Sequence, residues 1–261
     1  MISLRHALML EGQGVVSLVG AGGKTSLMFK LAHEISEAGE SVLTTTTTKI
    51  YEPTRDQSSC LIVSDSVETI VNKVKDLFKN NILHVTAAAG HLQNENKLIG
   101  HKPKAIDALS KTNLFRWIIA EADGAGGKPL KAPANHEPVI PESTKWVIGI
   151  VGLNGVGKPL TDEWVHRPEL FSTITGLAAK KEVTEAAVGD VLIHDKGIFN
   201  NAPANALRVV FLNQADVPGG LETGRTIANL IGKKEKTGLK RIVIGQTMGD
   251  PPVLEYHEMS L

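Results

Sequence analysis

Residues Val15 to Ala32 read VVSLVGAGGKTSLMFKLA, and this stretch decides the fold. A short apolar run, Val15 to Val19, meets the glycine-rich segment Gly20-Ala21-Gly22-Gly23-Lys24-Thr25-Ser26. Beyond it Leu27, Met28, Leu31, Ala32 and Ile35 recur at helical spacing. An apolar run ended by glycines and followed by a 3.6-period face predicts strand, tight loop, helix. Loop amides and the free N–H groups of a helix start together cradle phosphate oxygens. In that reading Lys24 reaches the terminal phosphates and the Thr25 hydroxyl ligates Mg²⁺. The usual phosphate loop has its first glycine where Leu18 stands. The form here is the shorter G-x-x-G-K-T, beginning at Gly20.

Working outward, Gly39 suits a helix C-cap, and Ser41 to Leu43 opens a strand that runs into Thr44 to Thr48. Five β-branched threonines favour extended structure. Their hydroxyls are expected to face the ligand crevice at the strand's carboxyl end. Strands are expected at Leu61–Val63, Ile82–Ala88, Phe115–Ala120, Trp146–Val151, Arg208–Leu212 and Arg241–Ile244, with a last edge strand over Val253–Tyr256. Helices are expected after Ser66, over Lys104–Ser110, around Pro168–Thr175, over Thr184–His194 and over Leu221–Ile231. His91 to Pro103, polar and irregular, reads as a surface loop. Repeated β then α predicts an α/β fold with a doubly wound, mostly parallel sheet of P-loop NTPase type. No linker-like shift in composition interrupts the chain. Residues 1–261 are therefore expected to form a single domain, elaborated around 124–207.

Phe115 to Ala120 ends in Glu121-Ala122-Asp123-Gly124. An acid just past an apolar strand is where nucleotide sites place their metal-side carboxylate, so Glu121 and Asp123 join Thr25 as candidate Mg²⁺ ligands. Lys24 and Asp123 are the candidate catalytic residues. Gly124 to Lys128 copies the first loop nearly letter for letter, and Gly152 to Lys158 has the usual glycine-to-lysine spacing. Each is followed by proline, Pro129 and Pro159, which offers neither an N–H nor a hydroxyl. Both loops stand open as second anion sites or as plain turns. Later, Val209 to Leu212 runs into Asn213-Gln214-Ala215-Asp216. In many GTPases the corresponding Asn-Lys-x-Asp reads guanine, the aspartate accepting from the ring N1 and amino group. Gln214 replaces the lysine, so Asn213 and Asp216 point toward guanine while a strand-end turn stays open.

The bulk numbers exclude several classes. With 28 basic and 28 acidic residues the formal net charge is zero, which argues against a broad grip on nucleic acid or anionic membrane. Cys60 is alone, so no internal disulfide and no cysteine-built metal site are encoded. No apolar run approaches the ~20 residues of a spanning helix, and the first residues lack a signal-peptide pattern. A cytoplasmic location is expected.

Together GAGGKTS, LTTTTTK, IIAEADGAGGKPLKAPANHEPVIP, VGLNGVGKPL, VHRPELF and FLNQAD resemble the YqeC family, over most of the chain between residues 15 and 216. The resemblance implies a nucleotide-binding protein linked to maturation of selenium-dependent molybdenum hydroxylases, with such a hydroxylase or its cofactor as client. It also implies that Lys131, His136, Glu137, His166, Arg167 and Glu169 line a pocket for a second ligand. Any one of these histidines reads equally as a hydrogen-bonded loop residue, and their spacing matches no standard metal signature. The reading is a nucleotide-binding protein for GTP or ATP with Mg²⁺, hydrolysing slowly through positioning and charge neutralisation. Two alternatives are an ATP-dependent ligase of Mur-like type that activates a carboxylate, and a non-catalytic nucleotide-gated cofactor chaperone.

Overall fold

The computed structural model describes residues 2–259. A short helix α1 (Leu4–Ala7) precedes β1 (Gly14–Gly20), which turns through the glycine loop into α2 (Lys24–Glu37). β2 (Val42–Thr46) follows, then β3 (Lys49–Tyr51), β4 (Leu61–Val63), α3 (Val67–Lys79) and β5 (His84–Ala88). β6 (Gly90–Leu92) and β7 (Lys97–Ile99) come next, before α4 (Pro103–Lys111) and β8 (Trp117–Glu121). The two-residue β9 (Leu130–Lys131) leads to β10 (Thr144–Gly152), β11 (Val165–His166), α5 (Pro168–Thr175) and α6 (Glu185–Ile193). The chain closes with β12 (Leu207–Asn213), α7 (Gly220–Gly232), β13 (Leu239–Gly245) and β14 (Val253–Glu258).

Nine strands form one sheet in the order β14-β13-β12-β10-β1-β8-β2-β5-β4. All neighbours run parallel except β13 with β14. This is the expected α/β, doubly wound sheet. The alternation along each strand explains its two covered faces. Ile148, Ile150, Val209 and Phe211 pack with α2 residues Leu27, Met28 and Leu31 on one face. Val147, Val151, Val210 and Leu212 pack on the other with α6 residues Val188 and Val191 and α7 residues Ile227 and Ile231. Beyond them Val15, Leu43, Val85 and Ile118 meet Ile70 and Val74 of α3 and Ile106 and Leu109 of α4. β1 lies between β8 and β10, with β8, β2, β5 and β4 on one side of it and β10, β12, β13 and β14 on the other. The sheet is thus extended in opposite directions from β1, the kind of position where open α/β sheets bind ligands.

Two expectations fail. His91 to Pro103 is not an open loop: β6 and β7 pair antiparallel with each other and with β3 in a separate three-stranded sheet. Three-residue strands leave too little periodicity to be read in advance. Nor do the threonine hydroxyls of β2 face a crevice. Thr44, Thr45 and Thr46 are fully buried. They bond to Thr86 Oγ1 at 2.8 Å, Ala87 O at 2.8 Å and Glu121 O at 2.9 Å. The run is internal wiring of a central strand, satisfying hydroxyls that burial would otherwise leave costly.

Candidate functional site: the glycine loop and its carboxylates

β1 enters the loop with Gly20, Gly22 and Gly23 at φ +95°, +80° and +128°, a region that L side chains rarely adopt. Close approach adds a second demand. A Cβ at Gly20 would collide with the Ile150 carbonyl, at Gly22 with the Gly152 backbone, and at Gly23 with the Asn213 amide. The loop amides divide into two sets. Gly20 N–H donates to Asp123 Oδ2 at 3.1 Å, Ala21 N–H to Ile150 O at 2.9 Å and Gly22 N–H to Lys128 O at 3.1 Å. Those of Gly23, Lys24, Thr25 and Ser26 have no acceptor among the described residues, and helical pairing begins with Leu27 N–H to Gly23 O. Four free donors at the start of a helix of 14 residues make an anion cradle.

The Lys24 side chain is buried and folds back over the loop. Its ammonium donates to Gly20 O at 2.6 Å and lies 3.3 Å from Asp123 Oδ1 and 3.6 Å from Glu121 Oε1. Burial alone would pull its pKa down, but Asp123 and Glu121 beside it hold it above the ordinary lysine value. Thr25 Oγ1 donates to Glu121 Oε2 at 2.7 Å. Burial pushes the Glu121 carboxyl above the usual carboxylate range, and Lys24 and Thr25 only partly offset it. Asp123 Oδ1 is buried with no hydrogen-bond partner. One hydroxyl, an under-neutralised carboxylate and an orphaned carboxylate oxygen fit a hard divalent cation whose remaining ligands come from phosphate and water. Among the described residues no group of three or more His, Cys, Asp or Glu forms a metal cluster, so the protein alone offers no closed metal cage.

The residues expected to line a second pocket are only partly brought together. Lys131 sits beneath the site with its side chain fully buried. Its ammonium donates to Asp123 Oδ2 at 2.9 Å, Gly124 O at 2.6 Å and Glu137 Oε2 at 3.0 Å. Arg167 forks onto Glu137, with Nη1 to Oε2 at 2.5 Å and Nη2 to Oε1 at 3.0 Å. Burial would raise the Glu137 pKa, but Arg167 and Lys131 bring it down to about 2. Arg167 holds a left-handed φ of +63° at the start of α5. His166 pairs with Lys131 through the β9–β11 ladder. Burial, with Arg167 and Lys131, depresses its pKa. His136 and Glu169 are exposed and take no side-chain part in this network.

Asn213 is buried and serves the loop directly. Its Nδ2 donates to Gly22 O at 2.7 Å and Thr247 Oγ1 at 3.1 Å, while Oδ1 accepts from Thr247 N–H at 2.8 Å. Asp216 is exposed on the following turn. Thr247 was not visible as a site residue, because its partner is set by tertiary contact alone. The same holds for Asn200, whose Nδ2 donates to Glu137 O at 2.8 Å. The two look-alike loops resolve differently. In the loop ending at Lys158, the amides of Val156, Gly157 and Lys158 are spent on Leu153, Val183 and Gly155 carbonyls, so it is a plain turn. The loop ending at Lys128 packs on the first one through Gly22 N–H to Lys128 O.

The family model described as YqeC protein matches residues 16–169. The "Uncharacterized protein YqeC" of Escherichia coli (strain K12) is 36% identical over 203 residues, covering 77% of this chain and 75% of that protein. Among solved structures, the signal recognition particle receptor FtsY from Elizabethkingia anophelis aligns over 95% of this chain at 13% identity and a TM-score of 0.38. The 54 kDa signal recognition particle protein from Aeropyrum pernix K1, in complex with GDP, aligns over 94% at 14% identity and a TM-score of 0.31. This chain spans 65% and 44% of those two chains. On the family match and the extent of identity, the chain belongs to the YqeC family.

Proposed function

We propose that this protein binds a nucleoside triphosphate with Mg²⁺ at the Gly20–Ser26 loop and hydrolyses it slowly. The observation that carries the reading is the convergence of four unpaired amides, Lys24, Thr25, Glu121 and Asp123 on one loop. The amides of Gly23 to Ser26 would hold the β- and γ-phosphates, with Lys24 leaving its carboxylates for the terminal phosphate. Thr25, Glu121 and Asp123 would hold Mg²⁺, which neutralises charge developing on the transferred phosphoryl group. Positioning and charge are the whole contribution asked of this chain.

The base is guanine in this reading. Asp216 is exposed at the edge of the loop region, and the side chain of Asn213 is fully engaged in holding Gly22 and Thr247. Base selection therefore rests on Asp216, with ATP as the competitor. We extend the family resemblance to the client: a selenium-dependent molybdenum hydroxylase or its cofactor, received near the exposed side of His166 and Arg167. The chain acts as one unit, residues 124–207 elaborating it around the sheet strand β10. The ligase alternative would need Lys128, Lys131 and Arg167 to bind an acidic acceptor, and two of the three, Lys131 and Arg167, are already paired with Asp123 and Glu137.

Calorimetric titration with GTP, GDP, ATP and ADP in Mg²⁺, against wild type, Lys24→Ala and Asp216→Asn, tests this. We expect GTP and GDP to bind, ATP to bind weakly, Lys24→Ala to bind none and Asp216→Asn to lose the guanine preference. Absence of binding by wild type sinks the nucleotide reading. ATP winning removes Asp216 from the base site.

A further inference from the structure

Asp123 stands between two lysines, one from the first glycine loop and one from the short strand that follows the second. Lys24 approaches Oδ1 at 3.3 Å, and Lys131 donates to Oδ2 at 2.9 Å. The two are held very differently. Lys24 donates to Gly20 O at 2.6 Å and keeps looser distances of 3.3 and 3.6 Å to Asp123 and Glu121, and the nucleotide reading requires it to leave. Lys131 spends all three N–H groups, on Asp123, Gly124 O and Glu137, and an ammonium has no fourth donor. Its side chain is wholly enclosed, and Glu137 is in turn locked by the Arg167 fork. Oδ2 of Asp123 also accepts from Gly20 N–H. The carboxylate thus cannot turn, and Oδ1 is the one oxygen left for an incoming group.

We infer that Lys131 is a positioning residue for Asp123: a fixed cation that keeps this carboxylate aimed once Lys24 has gone to phosphate. The inference rests on the nucleotide reading above. It follows from counting charges. Glu121 and Asp123 share Lys24. After Lys24 departs, two buried acids would face each other with Mg²⁺ as their sole neutraliser, an arrangement that costs free energy unless one acid has its own cation. Lys131 is that cation. It also lowers Asp123's hold on Lys24 and so eases the lysine's transfer to phosphate. Glu137 and Arg167 then have a defined task, keeping Lys131 in place from below. These residues form a support, and the sequence patterns gave no sign of it.

The test uses the full chain with Mn²⁺ as metal probe and GTP and ATP as nucleotides. Lys131→Gln keeps N–H donors but removes the charge, and Lys131→Arg keeps the charge. Calorimetry gives nucleotide affinity as a function of Mg²⁺, and electron paramagnetic resonance gives bound Mn²⁺ directly. For Lys131→Gln we expect the metal concentration supporting half-maximal nucleotide binding to rise about tenfold, the scale of one charge-assisted hydrogen bond. Lys131→Arg should stay within about twofold of wild type, since it retains the ion pair. Equal losses in both variants, or wild-type metal dependence in Lys131→Gln, overturn the inference. If Lys131→Gln does not fold, Glu137→Gln replaces it: loosening Lys131 from below should raise the metal requirement in the same direction by a smaller factor, and wild-type metal dependence there overturns the inference. Wild type that binds no nucleotide fails the parent reading. Wild-type binding with an indifferent Lys131→Gln fails Lys131 alone.

Discussion

Gly20-Ala21-Gly22-Gly23-Lys24 and Gly124-Ala125-Gly126-Gly127-Lys128 are the same five letters in the same order, and they fold into different objects. The first opens α2 and leaves four amides free. The second runs into the two-residue strand Leu130–Lys131. The difference lies one letter further on. Thr25 accepts a helical conformation at Lys24, whereas Pro129 clashes with that conformation at Lys128 and drives it extended. No helix starts, so no row of amides lines up behind a dipole. In exchange, the extended path carries Lys131 inward beneath Asp123. Lys128 and Pro129 instead offer their carbonyls to Gly22 and Gly152. One loop leaves its amides free at a helix start and the other braces it.

The contrast can be broken or sharpened by substitution, taken here from the largest expected effect downward. Gly20→Ala combines positive φ with a backbone collision and should cost about 3 kcal/mol or more, read as a fall in the urea midpoint. Wild-type stability in that variant would mean the loop path is not as drawn. Lys24→Ala should weaken nucleotide binding by at least ~100-fold, since it removes a charged donor from the phosphates, with little change in fold. Retained binding in calorimetry would shift the anion site elsewhere.

Glu137→Gln, beneath the second loop, should lower stability by about 1–2 kcal/mol at neutral pH through its lost pairs with Arg167 and Lys131. The pH dependence has a definite sign. The folded pKa of Glu137 is depressed to about 2, so its contribution is complete above the unfolded value of about 4.3 and disappears as pH falls through the folded value. Wild type and Glu137→Gln should therefore converge in acid unfolding curves between those limits. A constant gap would mean the clamp does not depend on that charge. Gly127→Ala has positive φ but open space around it and should cost only about 1 kcal/mol. Pro129→Thr restores the first loop's letters and should still leave one nucleotide bound per chain, because Lys131 and Asp123 already fill the ground beneath it. A stoichiometry of two would show that proline alone decides between the loops.

What could be read in advance follows the range of the interactions involved. Gly20 to Ser26, Glu121 and Asp123 were legible because strand, loop and carboxylate lie at the carboxyl edge that any parallel sheet presents. The alternating apolar strands were legible for the same local reason. Lys131 looked like one more pocket lysine, since nothing in Pro-Leu-Lys-Ala tells that Asp123, Gly124 and Glu137 will close on it from three sides. Asn213 suggested a base reader, and its side chain proved to be spent on Gly22 and Thr247, partners fixed only by folding. The threonines of β2 misled because hydroxyls signal polarity in sequence but can be wholly satisfied inside a sheet.

Asn213 and Thr247 bear on the order in which the protein comes into being. The amide that holds Gly22 lies 191 residues further along the chain, and the threonine that holds that amide lies further still. Synthesis runs from the N-terminus, so Gly20 to Ser26 emerge well before the bracket that shapes them. The path of the loop is thereby settled only when two distant segments of the chain have met.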